Sequence, residues 1–193
     1  INFTSRYQGN KLLLFLSSTL MLGYAVPGLI LAIGITQLFT IIDNSFYLFR
    51  IDIILTGSLI GLIIAYIIKS YALSNSALES GYHRINNKID DVSRTLKSSG
   101  WSMLTYIHTP LLKTSLLTSV LLVFSEVIKE LPATLILRPF NFDTLAVYAY
   151  IFAAEERMFD AAAPSIAIVA VGLIPIVILT RIIRNSRPAS REI

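Results

Sequence analysis

The sequence has 193 residues with a formal net charge of +4; 54% of them are hydrophobic and 15% are charged, giving a mean hydropathy of +0.69. This composition excludes an ordinary water-soluble globular domain and predicts an all-α membrane protein. Because the sequence contains no cysteine, disulfides, thiolate metal sites and cysteine nucleophiles are excluded as well.

Four membrane-spanning helices are predicted from the apolar runs, at about 12–42, 53–71, 114–137 and 161–180. The chain begins with Ile1, and no basic segment with a small-residue cleavage site precedes the first run. We therefore predict no signal peptide and expect the sequence to be a piece of a longer chain.

The first apolar run is longer than a bilayer requires, so we expect it to tilt, kink or break at Pro27 and Gly28. The second run carries Lys69 near its end, and we expect its ammonium to reach the headgroups. The fourth contains Pro164 and Pro175, which a transmembrane helix tolerates when its neighbours satisfy the freed carbonyls.

The third predicted span has only 12 charge-free residues before Glu126, too few to cross a bilayer alone. Continuation through Leu137 takes Glu126, Lys129 and Glu130 into or near the membrane. Their spacing places them on neighbouring positions of one helical surface, so they either form a structural ion pair or line a transport pathway. In the second case the glutamates offer hard oxygen ligands for a trivalent cation, and Lys129 tunes them.

The distribution of lysine and arginine predicts the topology. The connector at about 72–110 and the tail at 181–191 each carry four basic residues, and both are predicted to be cytoplasmic. The segments 43–52 and 130–160 are predicted to face outward. Four spans then leave both ends inside.

The connector contains an amphipathic pattern. Apolar residues from Leu78 to Leu96 step by three and four and share one face of a predicted helix. Residues 98–100 break the pattern, and a second amphipathic stretch starts at Trp101. This helix–turn–helix either presents a surface to a soluble partner or lies on the membrane.

The segment DVSRTLKSSGWSMLTYIHTP, 91–110, resembles the cytoplasmic coupling segment of binding-protein-dependent ABC importer permeases, whose pattern is Glu-Ala-Ala, Gly and Ile-x-Leu-Pro. Ile107 and Pro110 match, and Asp91 supplies the acid, whereas Lys97 stands at the glycine. We expect Gly100 to take over the turn that this glycine makes. The resemblance implies ATPase-coupling roles for Asp91, Val92, Ser93, Arg94, Leu96, Lys97, Gly100, Ile107 and Pro110.

The segments KELPATLILRPFNFDTLAVYAY and GLIPIVIL resemble the C-terminal half of iron(III) permeases, and GYAVPGLILAIG resembles an earlier helix of that family. The resemblance implies part of a type I ABC importer transmembrane domain in the bacterial cytoplasmic (inner) membrane. Its implied partners are a cytoplasmic ABC ATPase dimer, a periplasmic or extracellular substrate-binding protein, a second permease half that is fused or separate, and the lipid bilayer, but no nucleic acid.

The chain is expected to be a transport subunit, not an enzyme, because it contains no glycine-rich phosphate loop with its lysine. ATP would bind at the partner subunit, and no cofactor, catalytic residue or firm metal site is assigned to this chain. The predicted cargo is iron(III). Alternatives are another small ion (sulfate, a phosphonate, thiamine or a polyamine), a carrier driven by an ion gradient with carboxylate ion sites, or a permease without activity.

Translocation-pathway candidates are Glu126, Lys129, Glu130 and Arg138. Arg138 is alternatively a snorkelling anchor at the outer surface or a docking residue for the binding protein. Asp143 is predicted to cap a helix from Thr144. His83 and His108 lie too far apart in sequence to argue for a metal pair and receive no role.

Overall fold

A computed structural model describes residues 11–50, 54–95 and 99–186. Within these ranges the chain forms helices joined by short links, which confirms the predicted all-α class. The helices are α1 (Lys11–Leu22), α2 (Gly28–Leu48), α3 (Leu59–Tyr82), α4 (Asn87–Thr95), α5 (Gly100–Leu111), α6 (Lys113–Val127), α7 (Pro132–Leu137), α8 (Leu145–Ala154) and α9 (Met158–Ser186).

Among the residues that the structure describes, three helices are long and apolar enough to cross a membrane: α2, α3 and the Met158–Ile182 part of α9. Helices α5 and α6 make a fourth candidate span only if they are counted together, because they meet at a bend of 77°. By length and composition, the described part of the chain is therefore a multi-pass membrane domain.

The first predicted run, 12–42, is divided between α1 and α2. Pro27 has an extended backbone (φ −55°, ψ 133°) and directly precedes α2, which begins at Gly28. Proline has no N–H to donate to the preceding turn, so the helix starts anew here. Beyond this break, α2 continues to Leu48. In its last turns, the carboxylate of Asp43 accepts hydrogen bonds from the N–H groups of Leu55 (2.8 Å) and Thr56 (2.9 Å).

The core lies where α2, α3 and α7 pack together. Small side chains allow these helices to approach closely, and Ala32, Ala65 and Ala133 are each fully buried. The rest of the cluster is apolar and consists of Ile35, Phe39, Leu62 and Leu137. Helix α7 is thereby held inside the bundle although it has only six residues.

Helices α8 and α9 pack against each other, and α9 also contacts α6. Pro164 and Pro175 lie within α9, and both are buried. Most of the apolar surface of α9 is exposed, with only 6% of its most apolar stretch buried. Such a surface in a membrane domain faces lipid or further transmembrane helices.

The prediction of one amphipathic helix from Leu78 to Leu96 is wrong. Helix α3 ends at Tyr82, and the turn at 83–86 separates it from α4. Asn86 explains the new start, because its side-chain Oδ1 accepts a hydrogen bond from the N–H of Lys88 at 3.0 Å and so caps the first turn.

The prediction that Gly100 forms the turn before the next helix is also wrong, because Gly100 is the first residue of α5. The preceding Ser99 is extended, and its Oγ accepts a hydrogen bond from the N–H of Ser102 at 3.1 Å. Ser99 is therefore the N-cap. From Met103 to His108 the helix widens into a π-helical segment, which ends two residues before Pro110.

Candidate functional site

A partly buried ion pair joins α3 to the link between α6 and α7. The Nζ of Lys69 lies 2.6 Å from Oε2 of Glu130, and the two side chains are 24% and 13% exposed. The other oxygen of Glu130, Oε1, accepts the backbone N–H of Ala133 at 3.2 Å, at the start of α7. Both carboxylate oxygens of Glu130 are therefore engaged.

This pair corrects two predictions. Lys69 does not extend toward headgroups, because its ammonium is held inside the bundle by Glu130. Glu130 does not share a helical surface with Glu126 and Lys129, because α6 ends at Val127 and Glu130 lies in the non-helical link. The 61-residue separation of the two partners conceals the pair from a local reading of the sequence. The available signal was a lysine late in an apolar helix, which needs a partner if it stays in the bundle.

The first residue of α2 lies directly against the ion pair. A Cβ atom at Gly28 would lie 2.7 Å from Oε1 of Glu130 and 3.0 Å from Nζ of Lys69. Only glycine leaves room for both charged groups at this distance. The Pro27–Gly28 sequence thus both starts α2 and lets it approach the pair.

A hydroxyl pair extends the polar contacts by one turn. The hydroxyls of Tyr66 and Thr134 are 2.7 Å apart, and Thr134 is fully buried. Since Thr134 Oγ1 donates to the carbonyl of Glu130 at 2.8 Å, Tyr66 is the donor to Thr134. Helices α3 and α7 are therefore joined at two successive levels.

A small pocket opens beside the ion pair. Its lining residues are Tyr24, Tyr66, Lys69, Ser70, Glu126, Val127 and Glu130. Its volume of about 20 Å³ is enough for roughly one water molecule, so no solute fits there in this conformation. Among the described residues, no three histidine, aspartate or glutamate side chains come together as a possible metal site.

The remaining pathway candidates lie in different surroundings. Glu126 lines the pocket and pairs with Lys129 at 3.0 Å, but this pair is 37% and 58% exposed. Arg138 does not line this pocket and forms an ion pair with Asp143. The prediction that Asp143 caps the next helix is wrong, since Oγ1 of Thr144 accepts the N–H of Val147 at 3.4 Å and α8 begins at Leu145.

The coupling candidates lie on or near α4 and α5. Asp91 and Val92 are exposed, Val92 by 58%, whereas Ser93 is buried and donates its hydroxyl to the carbonyl of Ile89 at 2.7 Å. Leu96 and Lys97 lie outside the described residues, as does the side chain of Arg94. The outward surface of α4 available to a partner thus includes Asp91 and Val92.

The structure also assigns a place to a histidine that sequence analysis left without a role. His108 is fully buried; its Nε2 lies 3.0 Å from Oδ1 of Asp90, and its ring centroid lies 5.5 Å from that of Tyr82. A signal existed, since His108 is four residues from both Leu104 and Leu112 and so shares their apolar face. His83, by contrast, has a side chain that is 78% exposed.

These features define the class of the protein: an all-α, multi-pass membrane domain with a neutralised ion pair inside its bundle and a broken helix against that pair. No family model matches the sequence. Relatives are nevertheless found, and they are transport permeases.

A protein of Salmonella typhimurium named as the 2-aminoethylphosphonate transport system permease protein PhnV is 27% identical over 180 residues, covering 93% of this chain and 64% of its own length. The ferric transport system permease protein FbpB of Actinobacillus pleuropneumoniae is 29% identical over 150 residues, covering 78% of this chain and 20% of its own. A protein of Haemophilus influenzae named as the ferric transport system permease protein FbpB 1 is 29% identical over 131 residues, covering 68% of this chain and 19% of its own length.

The chain therefore spans about 64% of the length of PhnV and a smaller share of the ferric permeases. The resemblance to importer permeases that the motifs indicated is confirmed, because relatives of both kinds are transport system permeases. The cargoes given in their names differ.

Proposed function

We propose that this chain is part of the permease subunit of an ATP-driven importer in the bacterial cytoplasmic membrane. The permease accepts a small charged solute from an external binding protein, and a cytoplasmic ATPase dimer drives the cycle. The observation that carries the proposal is the similarity to transport permeases over 93% of the chain. Completion of the transmembrane domain by a second permease half is part of the same proposal.

The geometry supports a pathway between α3 and the link that joins α6 to α7. The pocket beside Lys69 and Glu130 is too small for a solute, so transport requires these helices to separate. Separation releases Lys69 from Glu130 and turns a neutral pair into two accessible opposite charges. A solute then meets them only transiently, which suits a conduit that must release its cargo.

Glu126 and Lys129, a more exposed pair, extend this polar path at the C-terminal end of α6. Arg138, paired with Asp143, remains a candidate for the pathway or for docking of the binding protein. On the cytoplasmic side, α4 docks on the ATPase through Val92 as an apolar anchor and Asp91 as a charged contact. The remaining predicted members of this coupling segment are Arg94, Leu96, Lys97, Gly100, Ile107 and Pro110. Ser93 is a further member, and its buried side chain supports the segment from inside.

For the cargo, we propose iron(III), on the strength of the ferric relatives and of the KELPAT and FDTLA segments that resemble iron(III) permeases. A second candidate is 2-aminoethylphosphonate. The longer match to PhnV supports it, and so does the ammonium of Lys69 beside the pocket, since an ammonium binds phosphonate oxygens.

Reconstitution of the full-length permease with its binding protein and ATPase in proteoliposomes tests the proposal and separates the two cargoes. We expect uptake of either iron(III) or 2-aminoethylphosphonate that requires ATP and the binding protein. Uptake without the ATPase, driven by a proton or sodium gradient, would overturn the proposal in favour of a secondary transporter.

A further inference from the structure

Three helix segments, α3, α5 and α6, meet at one bend of the chain. We call this bend the elbow and define it as residues 111–113, where α5 and α6 meet at 77°. The end of α3 touches the elbow through Gly81, where a Cβ atom would lie 2.8 Å from Cδ2 of Leu112. Only a residue without a side chain permits this approach, so α3 is fitted directly against the elbow.

Helix α4 is attached differently. Its backbone packs only sparsely on the other described helices, and the turn at 83–86 separates it from α3. One polar contact between α4 and α5 is the pair of Asp90 and His108, whose Oδ1 and Nε2 atoms lie 3.0 Å apart, and we call this pair the clasp. Asp90 has an 11% exposed side chain and His108 is fully buried, so water competes little for this contact.

The π-helical segment explains how His108 reaches Asp90. His108 is the last residue of the Met103–His108 segment, and the N–H of the next residue, Thr109, bonds to the carbonyl of Leu104, five residues back. The hydroxyl of Thr109 also donates to this carbonyl, at 2.8 Å. The extra residue in the turn rotates the positions that follow, and such insertions often occur at functional positions of helices.

We propose that His108 is a positioning residue that fixes α4 to α5 through Asp90, just before the elbow, so that a displacement of α4 is passed to α6. Helix α6 carries Glu126 at its far end, beside the pocket, and so extends from the elbow to the ion-pair region. This inference rests on the proposed function, in which the ATPase moves α4. It adds the contact that carries the motion into the membrane.

A distance measurement tests the clasp without any transport. Nitroxide labels are placed on the full-length permease at V92C in α4 and V120C in α6, which are 58% and 62% exposed; any native cysteines outside this segment are first removed. His108→Met removes the ring nitrogens at nearly constant length, and His108→Gln keeps a polar group at similar reach. We expect His108→Met to broaden the label–label distance distribution and His108→Gln to restore the parental one. His83→Met, at the 78% exposed histidine, is the matched control and leaves it unchanged.

Identical distributions for His108→Met, His108→Gln and the parent would overturn the inference. If His108→Met does not fold, the pair Asp90→Leu and Asp90→Asn makes the same comparison from the other side, because asparagine retains the acceptor oxygen. The result then turns on whether Asp90→Leu alone broadens the distribution.

In the reconstituted importer, we expect His108→Met to raise the ATP hydrolysed per solute transported by about fivefold or more, as loss of coupling predicts. His108→Gln should restore the parental ratio. A parent that couples normally and a His108→Met variant that couples equally well would reject the clasp. Absence of ATP-dependent uptake by the parent would contradict the proposed function. The distance measurement would still test the clasp, because it does not depend on transport.

Discussion

The ion pair of Lys69 and Glu130 shows what single residues contribute. The costly charges of Glu126 and Glu130 were recognisable from the sequence, because ionisable groups stand out within an apolar run. It did not supply the partner of Glu130. That partner is fixed by the packing of α3 on α6 and α7, whereas sequence spacing reveals only neighbours within a few turns of one helix.

Replacement of Lys69 by methionine tests this pairing. It leaves the partly buried carboxylate of Glu130 without its cation, so we expect a loss of about 2 kcal/mol in stability, between the values for exposed and buried pairs, read as a lower thermal unfolding midpoint in detergent. The double variant Lys69→Met/Glu130→Gln should recover part of that loss. Lys129→Met breaks the more exposed pair with Glu126 and should cost under about 1 kcal/mol. Equal losses for Lys69→Met and Lys129→Met would contradict the assignment of the buried pair.

Among the helices, the sequence predicted breaks where a side chain dictates them locally. Pro27 directly precedes the start of α2 for the reason that the sequence indicated, the missing proline N–H. The break before α4 was missed, since the apolar spacing from Leu78 to Leu96 continues through the capping residue Asn86. The 77° bend at Leu112 was also missed, and it has no proline or glycine of its own.

The contact between α2 and the ion pair gives a prediction for these helices. Gly28→Ala would place a methyl group 2.7 Å from Oε1 of Glu130, so we expect the pair to be displaced and the unfolding midpoint to fall. Gly34→Ala in the same helix is the control, because a Cβ there meets no atom within 4 Å. It should leave stability unchanged or raise it by up to about 1 kcal/mol, the helix-propensity difference between alanine and glycine. Equal destabilisation by the two substitutions would show that Gly28 is not a contact point.

For the whole molecule, composition and apolar run lengths were enough to predict an all-α membrane domain, because the bilayer limits what can cross it to few structures. Which helices meet was not predictable, since small and apolar surfaces such as those of Ala32, Ala65 and Ala133 fit many partners. The proposed function rests on motif resemblance and on relatives, and the proposed clasp adds a connection from α4 through the elbow toward the ion pair.

The most direct test of an ATP-driven permease is cross-linking of α4 to the ATPase. Single cysteines are introduced at Asp91→Cys and Thr95→Cys, both exposed on α4, in the full-length permease co-expressed with its ATPase. Phe159→Cys, 99% exposed in the segment predicted to face outward, is the control. We predict cross-links from both α4 positions whose yield changes with ATP, and none from Phe159→Cys. A preparation that still transports its substrate but gives no cross-link at either α4 position would contradict the account and indicate a gradient-driven carrier.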